Sequence, residues 1–252
     1  MLNYIAAEWY KFRRRKGIFL ALGLLMALET VIFLPELLYG AEIEWESYAG
    51  ILEINLVLGF FLTPIFAVRV FDDQYGRGTL KNEVVYGIPR SRAYLGKLLA
   101  AALVGTGAAA LVVGWYLLLA ILCCGIDPEY LSECVGATLF VYPMWLAGLA
   151  FSFCLLVVIR SVGGAVITNY FVLMMGMAIS ASDFRGEVNS PTLNFINQYF
   201  FSAPFRKLVS FVPGQAWAGL ETMALDSYGL SLCWVALTTI IGVVILKRRE
   251  IK

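Results

Sequence analysis

Hydrophobic residues fall along this chain in six long runs separated by polar stretches: Gly17 to Leu38, Ile51 to Val70, Tyr94 to Leu122, Val135 to Ile159, Val162 to Ala181 and Gly229 to Leu246. A helix crosses a bilayer with about 20 apolar residues, and each run reaches or approaches that length. A transmembrane barrel would need segments of about ten alternating residues, and these runs are too long and too uniformly apolar for it. The pattern predicts an all-α polytopic membrane protein with six transmembrane helices in a single membrane domain, residues 1–252. Composition agrees: 60% of the 252 residues are hydrophobic, against roughly half in a soluble domain.

The polar interruptions orient the spans. Lys11, Arg13, Arg14, Arg15 and Lys16 precede the first, and Arg69, Arg77, Lys81, Arg90, Arg92 and Lys97 lie at or near the second-to-third connection. Arg160 sits in the fourth-to-fifth, and Lys247, Arg248, Arg249 and Lys252 end the chain. Sixteen of the nineteen Lys and Arg thus fall on one side, which the positive-inside rule makes cytoplasmic, with both termini inside. The opposite connections are acidic, with Glu36, Glu42, Glu44 and Glu46 in one and Asp127, Glu129 and Glu133 in the other. Net charge, at +1, points to no nucleic-acid partner.

Residues 1–16 put Leu2, Ile5, Trp9 and Phe12 on one helical stripe, with Glu8, Lys11, Arg13 and Arg15 off it. That spacing predicts an amphipathic helix in the inner interface; a plain basic flank that orients the first span is the competing reading. A cleaved signal peptide fits less well, because the apolar run exceeds the usual length of about 7–15 residues and no small-x-small site follows.

The longest polar interruption of the first half, residues 71–92, has the marks of a short capped helix. Thr79 can cap it, Leu80, Val84 and Ile88 recur at a spacing of four, and Gly87 followed by Pro89 stops it. Its apolar stripe rests either on a partner or on the protein's own spans and the headgroups.

Within the spans, Glu29 lies near the middle of the first, where a carboxylate costs about 2.5–3.5 kcal/mol on the insertion scale. It must face protein or water, or be protonated, which suits a transport path, a subunit contact or a hydrogen bond to a neighbouring helix. Asn55, Thr63 and Pro64 make the second span suited to a polar cavity or a partner helix, and Thr168 and Asn169 give the fifth a matching polar spot. Ala101, Gly105 and Ala109 form a small-residue face that permits close helix approach. The two-residue turn near Arg160 makes spans four and five an antiparallel hairpin. Residues 182–228 are too long for a bare loop and predict short re-entrant or interfacial outer helices, one starting at Ser190-Pro191 with the aromatic face Phe195, Ile196, Tyr199 and Phe200, and another through Trp217 and Leu220. An aromatic belt and an exit lining are both open for them.

The five cysteines show no metal-ligand spacing; a disulfide from Cys123 or Cys124 to Cys134 is open at the outer end. With no histidine in the chain, Ser-His proteolysis and His-ligated metal chemistry are excluded. Gly76, Gly78 and Lys81 do not form a phosphate loop, and Gly96-Lys97 is followed by Leu98 where Ser or Thr is needed. The chain has no ATP site of its own.

The run Gly78-Thr79-Leu80-Lys81-Asn82, then Gly87-Ile88-Pro89-Arg90 and Lys97, resembles the cytoplasmic signature of type-two permeases of ATP-binding-cassette exporters, in the small bacterial branch of bacitracin-resistance and lantibiotic-immunity permeases. The opening Ala7-Glu8-Trp9-Tyr10-Lys11 is similar to that branch's start. Pro89 stands where the family usually has Ser, and Gln74 stands where an acid is usual, with Asp73 one place earlier. The resemblance implies a permease half in a bacterial plasma membrane, paired with a second copy or a paralogue and with two cytoplasmic ATPase subunits that carry the ATP and Mg. It implies that Asp73, Thr79, Leu80, Lys81, Val84, Ile88, Arg90 and Lys97 couple to the ATPase, with Glu8 and Trp9 in the interface helix. Spans two and five would line the path, where Asn55, Thr63 and Asn169 fall, with Glu29 nearby on span one. The cargo class would be an amphipathic peptide, lipid or drug. A non-transporting sensor or assembly subunit of the same fold, and a proton-coupled transporter using Glu29, are the alternatives.

Overall fold

The computed structural model describes residues 6–7, 9–11, 16–39, 45–76, 85–159, 161–184, 199–200 and 217–248. Their long elements are all helices: α1 (Lys16–Tyr39), α2 (Trp45–Gly76), α3 (Arg90–Cys124), α4 (Pro128–Ile159), α5 (Val162–Phe184) and α6 (Trp217–Arg248). Among the described residues, five of them are long and apolar enough to cross a membrane. The chain is therefore a polytopic helical membrane protein.

Short connections with strong local chemistry join α3 to α4 and α4 to α5. Gly87 has φ 82° and Gly125 has φ 84°, backbone angles that L side chains rarely adopt. The Gly125 N–H closes α3 on the Ile121 carbonyl at 2.9 Å. Asp127 then caps α4, its Oδ1 accepting from the N–H groups of Glu129 (3.0 Å) and Tyr130 (3.4 Å), and Pro128 occupies the first helical position, where no N–H is needed. Ser161 caps α5 by accepting from the Gly164 N–H at 3.2 Å. With only residues 160 and 161 between them, α4 and α5 form the expected hairpin and pack together.

Helix α4 is the centre of the bundle, packed by α2, α3, α5 and α6, while α1 leans on α3. Two buried clusters stack along it. One gathers Phe33, Leu56, Phe60, Tyr116, Phe140 and Met144, and the other Val70, Tyr94, Leu149, Phe153, Leu156 and Leu246. Prolines interrupt α2 and α4 without leaving bare carbonyls. Pro64 has no N–H for the Phe60 carbonyl, and the Thr63 hydroxyl donates there instead at 2.8 Å. Pro143 likewise frees the Leu139 carbonyl, which accepts from the Tyr228 hydroxyl of α6 at 2.8 Å. Each proline thus exchanges a ladder bond for a side-chain bond.

Several expected boundaries shift. Helix α2 runs unbroken to Gly76, six residues past the expected end at Val70, and α3 starts at Arg90 rather than Tyr94. Helix α4 absorbs Glu129 and Glu133, and α6 starts at Trp217 rather than Gly229. The separate outer helix expected through Trp217 and Leu220 is therefore the first part of α6. No proline stands between Trp217 and Gly229, and an isolated glycine costs a helix only about 1 kcal/mol. Hydropathy marks where a bilayer must end, whereas a helix can continue into water. Residues 9–11 are helical, with Trp9 and Tyr10 exposed; Glu8 and the remainder of the leading stripe lie outside the described residues, as does Phe195.

Candidate functional site

At the inner end of the bundle, Asp73 lies in the last turns of α2. Thr79, Leu80, Lys81 and Val84 lie outside the described residues. The stop expected after them is present: Val85 is helical, Tyr86 and Gly87 form a turn, and Ile88 and Pro89 lead into α3. Val85 and Tyr86 are 76% and 85% exposed, so this connection presents apolar surface beyond the bundle. Arg90, one of the residues expected to couple to the ATPase, reaches across its own chain. Its Nη1 donates to the Lys247 carbonyl at 2.9 Å and the Leu246 carbonyl at 3.4 Å, the last-turn acceptors of α6 that have no N–H of their own helix. Lys97, expected in the same role, is 2% exposed and engaged within the chain.

Within the membrane region the four predicted polar residues form two groups. Glu29 is 2% exposed on α1 and faces the Asn55 amide of α2. The two side chains are close enough to interact, but neither Glu29 oxygen nor Asn55 Nδ2 has a partner at full hydrogen-bond geometry. Thr63 and Asn169 instead meet the same stretch of α4. Thr63 Oγ1 would lie 3.1 Å from a Cβ added at Gly148. The Asn169 Nδ2 donates to Ser152 Oγ at 2.6 Å, and Ser152 donates to the Gly148 carbonyl at 2.7 Å. Asn169 is thus turned into its own bundle, with Oδ1 unpaired.

Ser152 was legible in principle. The turn at residues 160 and 161 folds α5 back on α4, so position 169 reflects onto position 152, and the two polar residues face by construction. Trp145 and Tyr142 gave no such signal. Trp145 donates from Nε1 to the Leu56 carbonyl at 3.0 Å, with its ring against Gly59, where an added Cβ would stand 2.7 Å away. Tyr142 pairs with Thr106 at 2.8 Å. Both line a cleft of about 70 Å³ between α1, α2, α3 and α4, together with Leu25, Asn55, Leu62, Thr63, Gly105 and Leu149.

All five cysteines are free thiols; Cys134 is buried, with Cys123 and Cys124 packed nearby beside Tyr116 and Tyr130. Cys134 and Cys154 are buried packing groups, whereas Cys233 is exposed.

No curated protein matches the sequence. A family model described as ABC-2 family transporter protein matches residues 4–184, which takes in α1 to α5 and the whole connection between α2 and α3. That match covers well over half of the chain, and with the apolar helices around it the conclusion is direct: the chain belongs to the ABC-2 transporter family, as a membrane component that works with an ATP-binding-cassette ATPase and is not itself that ATPase.

Proposed function

We propose that the protein is the permease half of an exporter in a bacterial plasma membrane, moving an amphipathic substrate such as an antimicrobial peptide, a lipid or a drug. In this reading it has six spans with both termini in the cytoplasm, pairs with a second copy or a paralogue, and is driven by two ATPase subunits holding ATP and Mg. The likeness of residues 78–82 and 87–90 to the bacitracin-resistance and lantibiotic-immunity branch supports that cargo class.

The observation that carries coupling is the way the connection of residues 77–89 is anchored. On one side it follows α2, which runs unbroken to Gly76, and on the other it leads through Arg90 to the carbonyl end of α6. A displacement applied there is passed to α2, α3 and α6 together. In this reading the helices on either side and the Arg90 strut turn a push on the connection into movement of the bundle. Asp73, Thr79, Leu80, Lys81, Val84 and Ile88 would form the docking face; Arg90 and Lys97, turned inward, would transmit its motion.

The experiment is purification of the tagged permease from its native membrane followed by intact-complex mass measurement. The expected mass is that of two permeases and two ATPase subunits. A permease recovered alone or with non-ATPase partners, under conditions that keep other such transporters assembled, would overturn the exporter reading in favour of a sensor or anchor.

A further inference from the structure

We propose that the cleft between α1, α2, α3 and α4 binds the alkyl body of a hydroxyl-bearing amphiphile dissolved in the membrane, with Glu29 and Asn55 holding the hydroxyl. The site lies inside one protomer. It rests on the exporter reading only for whether the bound molecule is cargo.

The small-residue face of α3 is the first support. Ala101 is fully buried, as a close helix contact requires. Gly105 and Ala109 behave differently: they line the cleft, and a Cβ added at Gly105 would meet nothing within 4 Å. There the small side chains leave space open rather than bring helices together. The cleft holds about 70 Å³, whereas a single water needs roughly 10–15 Å³ by the same kind of measure. Its walls are mainly Leu, Phe, Ala and Val, and apolar cavities of that kind stay dry and take apolar guests.

The polar end is the second support. Leu25 lies on the cleft wall, and Glu29 follows one turn later on the same helix face. It faces Asn55, which lines the cleft itself. Other cleft polar groups are already satisfied: Thr63 on the Phe60 carbonyl, Thr106 on the Ala102 carbonyl and on Tyr142. Glu29 Oε1, Glu29 Oε2 and Asn55 Nδ2 are buried and unpaired, against the general rule that buried polar groups find partners. A hydroxyl suits these groups by chemistry, since it can donate to a Glu29 oxygen while accepting from Asn55 Nδ2. An alkyl chain attached to it has the apolar cleft to occupy.

The test uses the full permease complex in lipid nanodiscs, without nucleotide, and two photoreactive probes: dodecanol with a mid-chain diazirine, and dodecane with the same diazirine. Labelled residues are located by peptide mass spectrometry. Saturable dodecanol labelling at Leu62, Gly105 and Leu149 is expected. Gly105→Phe, which fills the cleft, should reduce it about tenfold, the equivalent of losing the chain's seat. Asn55→Leu should weaken dodecanol about fivefold, the size of one hydrogen bond, and leave dodecane unchanged. Gly105→Ala adds a methyl into open space and should label as wild type; if Gly105→Phe fails to fold, Ala109→Leu narrows the same wall.

Equal labelling by both probes, or labelling confined to the outward-facing Leu24, Leu103 and Ile167, would overturn the proposal. So would cleft labelling that appears only after the complex is dissociated, because a partner segment would then be the occupant. A further arm adds ATP: loss of cleft label during turnover marks cargo, and persistent label marks a resident membrane molecule, both with the site intact. Labelling needs no ATPase activity, so a failed co-purification and a failed cleft are separate results.

Discussion

Helices α1 and α4 are similarly apolar, yet 67% of the span window of α4 is buried inside the chain and only 17% of that of α1. Lipid tails are as apolar as leucine, so hydrophobicity alone gives a helix no reason to be central. The difference lies in side-chain size and in hydrogen bonds. Helix α4 carries Ala147, Gly148, Ala150 and Ser152 on buried positions, which let Thr63, Phe60 and Asn169 approach closely. Helix α1 presents Leu20, Leu24, Leu28 and Val31 outward and is held at a few specific points, among them Trp115 Nε1 on the Met26 carbonyl (3.2 Å) and on Thr30 (3.1 Å). The cleft lies between α1 and this central part of the bundle.

The sharpest way to break this comparison is at the buried point of α1. Glu29→Lys should cost about 2.5–3.5 kcal/mol and lower the yield of folded protein, because a charged ammonium at that depth has no partner in place. Glu29→Gln keeps shape and hydrogen-bonding capacity and should fold as wild type. Size-exclusion profiles in mild detergent read both; a folded, fully active Glu29→Lys would mean that the position reaches water or headgroups.

Next comes the contact at the centre. Gly59→Ala places a methyl 2.7 Å from the Trp145 ring and should destabilise by about 1–3 kcal/mol through overpacking. Gly23→Ala on α1 meets nothing within 4 Å and should be neutral, or stabilising by up to about 1 kcal/mol. Denaturant titration of the two variants in parallel measures the contrast, and equal effects would show that α4 is no more tightly packed than α1.

A smaller effect isolates one strut of α4. Tyr228→Phe removes the hydroxyl that satisfies the Leu139 carbonyl and should cost about 0.5–1.5 kcal/mol. In a Pro143→Ala background residue 143 regains an N–H that can serve that carbonyl, so the same change should cost less. A double-mutant cycle reports the coupling directly, and additive effects would mean that the hydroxyl does not compensate for the proline.

Much of this was legible in the sequence, for reasons that also explain the misses. The first apolar run, Gly17 to Leu38, lies within one residue of α1 at each end, because basic and acidic residues bound it closely. The starts of α4 and α6 were missed because Glu129 to Glu133 and Glu221 to Ser227 carry charges without being helix-breaking. The Gly87-Pro89 stop was visible, since a positive φ and a fixed φ leave few conformers. Which residues meet across helices was not, because that depends on the rotation of each helix. Asn55 and Asn169 look alike in the sequence; one faces an unpaired carboxyl on α1 and the other a hydroxyl on α4. Nothing in the sequence pairs Arg90 with the carbonyl end of α6, which lies more than 150 residues away in the chain.

The central claim is that the connection between α2 and α3 docks the ATPase, and the most direct measurement is the amount of ATPase recovered per permease when Val84 is replaced. An aspartate buried in a dry protein groove without a partner costs several kcal/mol. Val84→Asp should therefore lose most of the bound ATPase while inserting normally into the membrane, and the control Phe195→Asp, in the segment expected outside, should retain it. An unchanged ATPase yield together with unchanged substrate-stimulated hydrolysis in Val84→Asp would contradict the account and move the docking role to another inner segment, the amino-terminal helix with Glu8 and Trp9 being the first to test.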